Sequence, residues 1–324
     1  MINQYEFTKL VEYLFKETYG QNVEIFLQNG EKCQILQNAV KNLRFSYKPS
    51  GEDSCDTGYN EEEIRKAYMI AYYPYYISAA YELIKEKWFP RIANRGWKIK
   101  LDCLAGGPCP EIYGTVKALA ESGKCKGVDV ATYDLEKEWS PYQKITCKLC
   151  VESFSTDNFN IENWLFVNKF NISETADSLK NYSRYTSKGK TISLTERWNK
   201  QTDIFLLQNY LSHIEYTQQA VNNFLEWLKN MADIMKSGAY FIIIDLNYDS
   251  TRAVLENLTA GSDFLQSINL KHISSCTFGE PLKITHGNTL KILREKIFIG
   301  NYGDNSGLIP KKYTKYYYVI LQKI

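Results

Sequence analysis

Residues 97–136 read WKIKLDCLAGGPCPEIYGTVKALAESGKCKGVDVATYDLE and decide the fold that the sequence predicts. An apolar strand pattern covers 97–104, a turn covers 105–110, an amphipathic helix follows, and a second strand ends in acidic residues. Gly106 and Gly107 lie in the turn, where a backbone without Cβ atoms can pass close to a ligand. The first turn of the helix presents unpaired N–H groups and the positive end of the helix dipole. The segment is therefore half of a nucleotide-binding α/β unit.

Residues 104–109, LAGGPC, resemble motif I of class I S-adenosylmethionine (SAM)-dependent methyltransferases, with Ala105 and Cys109 where glycine is usual. Residues 106–114, GGPCPEIYG, are similar to an uncharacterised subgroup whose motif I reads GGGPGSE. The resemblance implies an α/β fold: a Rossmann-like, seven-stranded, mostly parallel sheet with helices on both faces. It also implies methyl transfer from SAM to an acceptor that the sequence does not identify: a small molecule, a protein or an RNA.

The resemblance also assigns a cofactor site. The cofactor-binding residues that it implies are Ala105, Gly106, Gly107, Pro108, Glu111, Asp134, Gln208 and Asn209. Asp134 would accept hydrogen bonds from the ribose hydroxyls, with Glu136 and Asp129 as alternative acids. Asp134 could instead cap a helix that begins at Leu135. Glu111 could bind the cofactor's amino group or simply favour the helix dipole.

A second informative stretch is 202–213, TDIFLLQNYLSH, which is typical of a buried parallel strand with a polar carboxyl end. That end faces the ligand crevice in open α/β sheets, and the stretch resembles motif IV of the same superfamily. Gln208 and Asn209 would lie beside the methionine portion of the cofactor or the substrate. No catalytic residue is identified; the candidates are Asn209, which could also bond to loop backbone, and His213, which is either a general base or an ordinary hydrogen-bonded histidine.

The chain divides into a helical N-terminal cap or lid region, 1–92, and a SAM-binding domain, 93–324. Pro74 is expected to break the aromatic run 67–84. The tyrosines around that break either pack the helices or line the site; they are Tyr68, Tyr72, Tyr73, Tyr75, Tyr76 and Tyr81. Further predicted helices cover 5–17, 31–45, the segment from Asn60 to the break, 214–236 and 250–266. Further predicted strands cover 161–172, 236–246, and an antiparallel pair at 272–278 and 313–323. Expected loops are 48–58, 89–96, part of 173–202 and 300–307.

Composition and cysteine spacing indicate which other classes of protein this chain does not resemble: nucleic-acid-binding, membrane, secreted and zinc proteins. Hydrophobic residues make up 44% of the chain, charged residues 23%, and the net charge is +2, so a nucleic acid partner is possible but not indicated. No apolar segment is long enough to span a membrane and no signal-peptide pattern begins the sequence, which predicts a cytoplasmic protein with reduced cysteines. Cys147 and Cys150, in the strand-like segment CKLCVESF, supply only half of a zinc site, so no metal is expected.

Two other functions remain open. A non-catalytic SAM-fold interaction module would explain the departures from motif I at Ala105 and Cys109. An NAD-dependent oxidoreductase shares the Rossmann-like core, but the glycine spacing does not match its dinucleotide fingerprint.

Overall fold

A computed structural model describes residues 2–46, 58–88, 97–172, 185–187, 190–213, 217–260, 262–276, 280–299 and 313–324. The predicted loop 48–58, apart from Gly58, the linker 89–96, much of 173–202 and the loop 300–307 lie outside these ranges.

Eight strands of the described chain form one central sheet. They are β1 (Trp97–Leu104), β2 (Cys125–Asp134), β3 (Asn160–Asn168), β6 (Ile204–Gln208), β7 (Tyr240–Leu246), β8 (Leu270–Ser275), β9 (Leu282–Thr285) and β10 (Tyr313–Lys323). A separate hairpin consists of β4 (Tyr185–Ser187) and β5 (Lys190–Ile192). The sheet order is β3-β2-β1-β6-β7-β10-β8, and the pairs from β3 to β7 are all parallel. β10 runs antiparallel to both of its neighbours in this order, as predicted for the last pair of strands.

The predicted count of seven strands is wrong because β9 adds an eighth. β9 pairs with the first four residues of β10, whereas β8 pairs with its last five, so one long strand supports two short partners. The four residues LKIT alternate between apolar and polar side chains, but so short a run is a weak strand signal. Their extended conformation depends on this pairing.

Side chains along each inner strand alternate between two apolar cores, one on each face of the sheet. In β6, Ile204 and Leu206 belong to one core and Phe205 and Leu207 to the other. The first core is covered by α1 (Gln4–Tyr19), α2 (Val23–Phe26), α3 (Gly30–Ser46), α4 (Glu62–Ala71), α5 (Tyr73–Leu83), α6 (Pro110–Glu121), α7 (Ser140–Phe154) and α12 (Lys291–Lys296). The second is covered by α8 (Leu194–Lys200), α9 (Gln218–Ile234), α10 (Asp249–Ala260) and α11 (Ser262–Ser267). The predicted α/β fold with helices on both faces is confirmed.

The strand-like segment CKLCVESF is instead the end of helix α7. The buried positions of α7 include Tyr142, Thr146 and Leu149, which are spaced four and three residues apart as on one face of a helix. Cys147 is half-buried and Cys150 is buried in this helix. A short apolar run does not by itself distinguish a strand from a buried helix, which explains the error.

The N-terminal region is helical throughout its described residues, and its helices share the first core with the sheet. The predicted break occurs: α4 ends before Tyr72, whose φ of −126° and ψ of −46° depart from helical values, and Pro74 lies in the first turn of α5. Residues 84–88 continue as one turn of π-helix. Gly114 of α6 lies so close to α5 that an added Cβ would be 2.3 Å from the carbonyl oxygen of Ile77.

None of the helices in the described ranges combines the length and apolar character of a membrane span.

Candidate functional site

The turn between β1 and α6 has a left-handed backbone at three positions. The φ angles are 50° at Ala105, 53° at Gly107 and 61° at Cys109. An L-residue in this conformation costs about 1–2 kcal/mol, and glycine does not pay that cost. Ala105 and Cys109 therefore adopt the backbone geometry that glycine usually supplies. The turn is held against β2 because the Ala105 N–H donates to the carbonyl of Tyr133 over 2.8 Å.

Asp134, the last residue of β2, joins the two loops that follow β1 and β2. Its Oδ2 accepts from the Gly107 N–H at 2.7 Å, and its Oδ1 accepts from the Glu136 N–H at 3.0 Å. Burial raises the pKa of Asp134 to about 6, although these two hydrogen bonds oppose the shift. The next helical residue is Lys137, so the carboxylate closes a turn ahead of the helix rather than capping a helix at Leu135.

The two alternative acids lie in different surroundings. Glu136 is half-buried on the loop after β2 and precedes the short 3₁₀ helix that starts at Lys137. Asp129 lies in the middle of β2, where it forms an ion pair with Arg197 at 3.1 Å and accepts from Asn163. Asp129 is thus engaged away from the carboxyl end of the sheet.

Glu111 lies beneath the turn, in the first turn of α6. Its side chain is 1% exposed, and burial raises its pKa to about 7. The thiol of Cys103 donates a hydrogen bond to its Oε1. Glu111 therefore faces the interior side of the turn.

Helix α7 supports the turn from another side. Gln143 Nε2 donates to the carbonyl of Gly107 at 2.9 Å, and Thr146 Oγ1 donates to the carbonyl of Pro108 at 2.6 Å. Thr146 also bonds to the hydroxyl of Tyr73, at 2.8 Å. Neither Gln143 nor Thr146 belongs to a recognisable motif, so no signal in the sequence indicates these two contacts.

Two polar side chains at the carboxyl end of β6 lie at the same edge of the sheet as the turn after β1. Gln208 is 4% exposed; its Nε2 donates to the carbonyl of Tyr76 at 3.1 Å. Asn209 has a φ of 56°, and its N–H donates to the carbonyl of Ile244 at 2.9 Å. Within the described part of the chain, Gln208 Oε1 and Asn209 Oδ1 are buried without a hydrogen-bond partner. An unpaired buried acceptor is costly, so both atoms suit a ligand that donates hydrogen bonds.

His213 ends a short 3₁₀ helix, Leu211–His213, that follows Asn209. The side chain of His213 is exposed to solvent. Neighbouring protein atoms still desolvate the imidazole, and this desolvation lowers its pKa to about 4. The imidazole is therefore neutral at pH 7. Asp245 accepts from the Leu211 N–H at 2.6 Å and so fixes the start of this short helix.

Aromatic rings connect the N-terminal helices to the glycine turn. The Tyr59 ring centroid lies 5.3 Å from that of Trp139 and 6.3 Å from that of His213. Tyr68 lies 5.6 Å from Trp139, and a Cβ on Gly107 would lie 3.5 Å from the same indole. These rings form a continuous layer from the motif I turn to His213.

The six tyrosines of the aromatic run divide into two sets. The first set bonds to packing partners: Tyr73 to Thr146, Tyr75 to Thr289 and Tyr81 to Glu121. The second set stacks along α4 and α5 toward the ring layer, with centroids 5.6 Å apart for Tyr68 and Tyr72 and 5.8 Å for Tyr72 and Tyr76. Both sets reach the candidate site: Tyr73 through Thr146, which bonds to the carbonyl of Pro108, and the second set through Tyr68 and the carbonyl of Tyr76.

No protein-family model matches this sequence, and no curated protein sequence does. Among solved structures, the pyocyanin biosynthetic protein PhzM is 12% identical with a TM-score of 0.38, over 85% of this chain and 62% of that protein. An O-methyltransferase family protein from Burkholderia thailandensis is 13% identical with a TM-score of 0.41, over 90% and 70% of the two chains. The CMeT domain of the citrinin polyketide synthase is 12% identical with a TM-score of 0.42, over 94% and 69%. At these identities the likeness concerns the fold alone, and this chain spans less than two thirds of the length of PhzM.

Proposed function

We propose that this protein is a SAM-dependent methyltransferase whose acceptor is a small molecule, a protein or an RNA. The observation that carries the proposal is the meeting of three strand ends at one edge of the sheet. There the Asp134 carboxylate bonds to the Gly107 N–H, and the unpaired acceptors of Gln208 and Asn209 lie at the end of β6, beside β1. In open α/β sheets, ligands bind at the carboxyl ends of the strands.

The chain's own residues would bind and orient the two reactants. The proposed cofactor-binding set is the one that the resemblance implies: Ala105, Gly106, Gly107, Pro108, Glu111, Asp134, Gln208 and Asn209. Asp134 would hold ribose hydroxyls, and the turn would pass along the amino-acid portion. Gln208 Oε1 and Asn209 Oδ1 would accept hydrogen bonds from the cofactor's ammonium or from the acceptor molecule. Because SAM supplies an activated methyl group on a sulfonium, the protein mainly needs to align the nucleophile with it.

We further propose that residues 1–92 act as a cap over the SAM-binding domain, 93–324. The contact between Gln208 Nε2 and the carbonyl of Tyr76 supports this, as does the ring contact of Tyr59 with His213. His213 stays the candidate general base: its imidazole is neutral at pH 7, and because the lowered pKa makes it a weak base, it suits an acceptor that loses its proton easily. A cytoplasmic location is proposed from composition and from the seven free thiols of the described residues.

Binding of SAM and of S-adenosylhomocysteine to the full chain, measured by calorimetry, tests the proposal. Micromolar binding is expected for the wild type and its loss for Asp134→Ala, which removes the proposed ribose acceptor. Glu136→Ala distinguishes the two acids on this loop: binding retained in it and lost in Asp134→Ala assigns the ribose to Asp134, and the reverse assigns it to Glu136. A folded wild type that binds neither compound would refute the proposal.

The alternative function is a non-catalytic SAM-fold interaction module. Ala105 and Cys109 favour it, because each places a side chain in a left-handed conformation within the turn that would contact the cofactor. Cellular function retained in Asp134→Ala would support this alternative.

A further inference from the structure

Three potential metal ligands converge beneath the motif I turn. The sulfur atoms of Cys103 and Cys109 and a carboxylate oxygen of Glu111 all lie within 4.8 Å of one another. The exposed fractions of the three residues are 0%, 0% and 1%. Cys103 donates to Glu111, and Cys109 donates to the carbonyl of Gly107 at 3.5 Å, so the three side chains form one buried cluster of soft and hard donors.

The local fold brings these side chains together. Cys103 is the second-last residue of β1, Cys109 is the N-cap of α6, and Glu111 lies in the first turn of that helix. The left-handed backbone of Cys109, with a φ of 61°, is part of the geometry that brings its sulfur to the other two donors.

Gly106 shows how closely the donors converge. A Cβ at this position would lie 2.4 Å from Cys103 Sγ, 2.6 Å from Glu111 Oε1 and 2.8 Å from Cys109 Sγ. That position is one covalent bond from Gly106 Cα and so cannot itself hold an ion, but it shows that the three donor atoms converge on the space beside Gly106. Any side chain at position 106 would displace them.

We propose that Cys103, Cys109 and Glu111 form a binding site for a thiophilic divalent cation, with Zn²⁺ as the ion that this donor set fits best. Thiolate and carboxylate are both zinc ligands, with bonds of about 2.3 Å to sulfur and about 2.0–2.2 Å to oxygen. Two sulfurs bound tetrahedrally to one zinc lie about 3.8 Å apart, which the 4.8 Å limit accommodates. Three protein ligands leave a fourth position for water or another donor.

Binding exchanges protons for the ion. Zn²⁺ takes the place of the two thiol protons, which pass to solvent, and of the hydrogen bond from Cys103 to Glu111. These two side chains must then separate by about 1 Å to reach tetrahedral geometry. Exchanging two thiol protons for one Zn²⁺ leaves the net charge of the site at −1 when Glu111 is ionised, so binding adds no buried charge.

The ion would fasten the whole turn. Its ligands lie at 103, 109 and 111, so the proposed cofactor-contacting residues 105–108 lie inside the loop that they close. Because only the folded chain brings the three donors together, metal binding adds to the stability of this turn. The proposal departs from the sequence-based expectation of no metal, which considered only the C-x-x-C pair at Cys147 and Cys150. It does not depend on whether the chain binds SAM.

Titration of the reduced full chain with Co²⁺, followed by displacement with Zn²⁺, tests the site. The expected result is a sulfur-to-cobalt charge-transfer band in the wild type that is lost in Cys103→Ser and in Cys109→Ser. Cys33→Ser is the matched control, because it removes another buried thiol, in α3, and should leave the band unchanged. Glu111→Gln should weaken Zn²⁺ binding at least about tenfold, since even outer partners of metal ligands contribute 10–100-fold.

Three results would overturn the proposal. The first is a folded wild type without the band, and the second is a band that persists in both serine variants. The third is a Cys103–Cys109 disulfide, rather than bound metal, in protein purified without chelator or added oxidant. If the serine variants fail to fold, X-ray absorption of the Zn²⁺-loaded wild type decides: two sulfur neighbours at about 2.3 Å support the site, and none or four refute it.

Discussion

Gly114→Ala measures how tightly the N-terminal helices pack against the α/β sheet domain. The new Cβ would lie 2.3 Å from the carbonyl oxygen of Ile77 and 2.9 Å from the backbone nitrogen of Tyr81. Both are backbone atoms of α5, so no side-chain rotation relieves the overlap, and α5 and α6 must separate by about 1 Å. Overpacking costs typically about 1–3 kcal/mol, and a backbone clash belongs at the upper end. Alanine returns about 1 kcal/mol of helix propensity, which leaves a net loss of about 2 kcal/mol.

Urea unfolding followed by circular dichroism measures this difference. Gly30→Ala is the matched control, because it is also a helical glycine but has no atom within 4 Å of the new Cβ. That variant should be neutral or up to about 1 kcal/mol more stable. If Gly114→Ala unfolds within about 0.5 kcal/mol of the control, α5 does not lie against α6 as described and the cap has a different position.

Two further predictions concern buried carboxylates. SAM affinity should fall as the pH drops through about 6, because burial raises the pKa of Asp134 to that value and the protonated acid is a poorer acceptor. Calorimetry between about pH 5 and 8 should show up to about tenfold loss per pH unit at the acid end. Asp134→Asn should remove this component and leave only the dependence due to Glu111, whose pKa burial raises to about 7. Arg197→Met should destabilise the fold by about 3–5 kcal/mol. Arg197 Nη2 lies 2.7 Å from Asp102 Oδ1, and both side chains are at most 1% exposed. Removing the guanidinium therefore leaves the buried Asp102 carboxylate without its ion-pair partner. Adding Asp102→Asn should recover part of this loss in urea unfolding, and a single variant within about 1 kcal/mol of the wild type would contradict the pairing.

Strong local patterns predicted the main elements of the sheet. β10 occupies Tyr313–Lys323 as expected, since its β-branched and aromatic residues favour a strand wherever it pairs. The strand before the glycine turn and the helix after it also occur where the pattern placed them. The prediction for CKLCVESF was wrong for the opposite reason. Its helix is favoured by packing of Tyr142, Leu149 and Cys150 on the first core, most of which comes from distant segments of the chain.

The candidate site was predictable in its parts but not in its contacts. Strand patterns place Asp134 and Gly107 at neighbouring strand ends. Their hydrogen bond requires the parallel register that sets Leu104 of β1 against Tyr133 of β2. The support from Gln143 and Thr146 requires α7 to cross behind the turn.

The sequence by itself therefore determined the periodic features of this protein: which segments are apolar strands, where glycine permits a turn, and which polar residues end a strand. These depend on interactions within a few residues. Only the tertiary structure decided the pairing of β9, the helical state of α7, the close approach of Gly114 to α5, and the convergence of Cys103, Cys109 and Glu111. The first three depend on register or packing between distant segments. The convergence of the three donors depends on the left-handed turn at Cys109, which the spacing of residues does not encode.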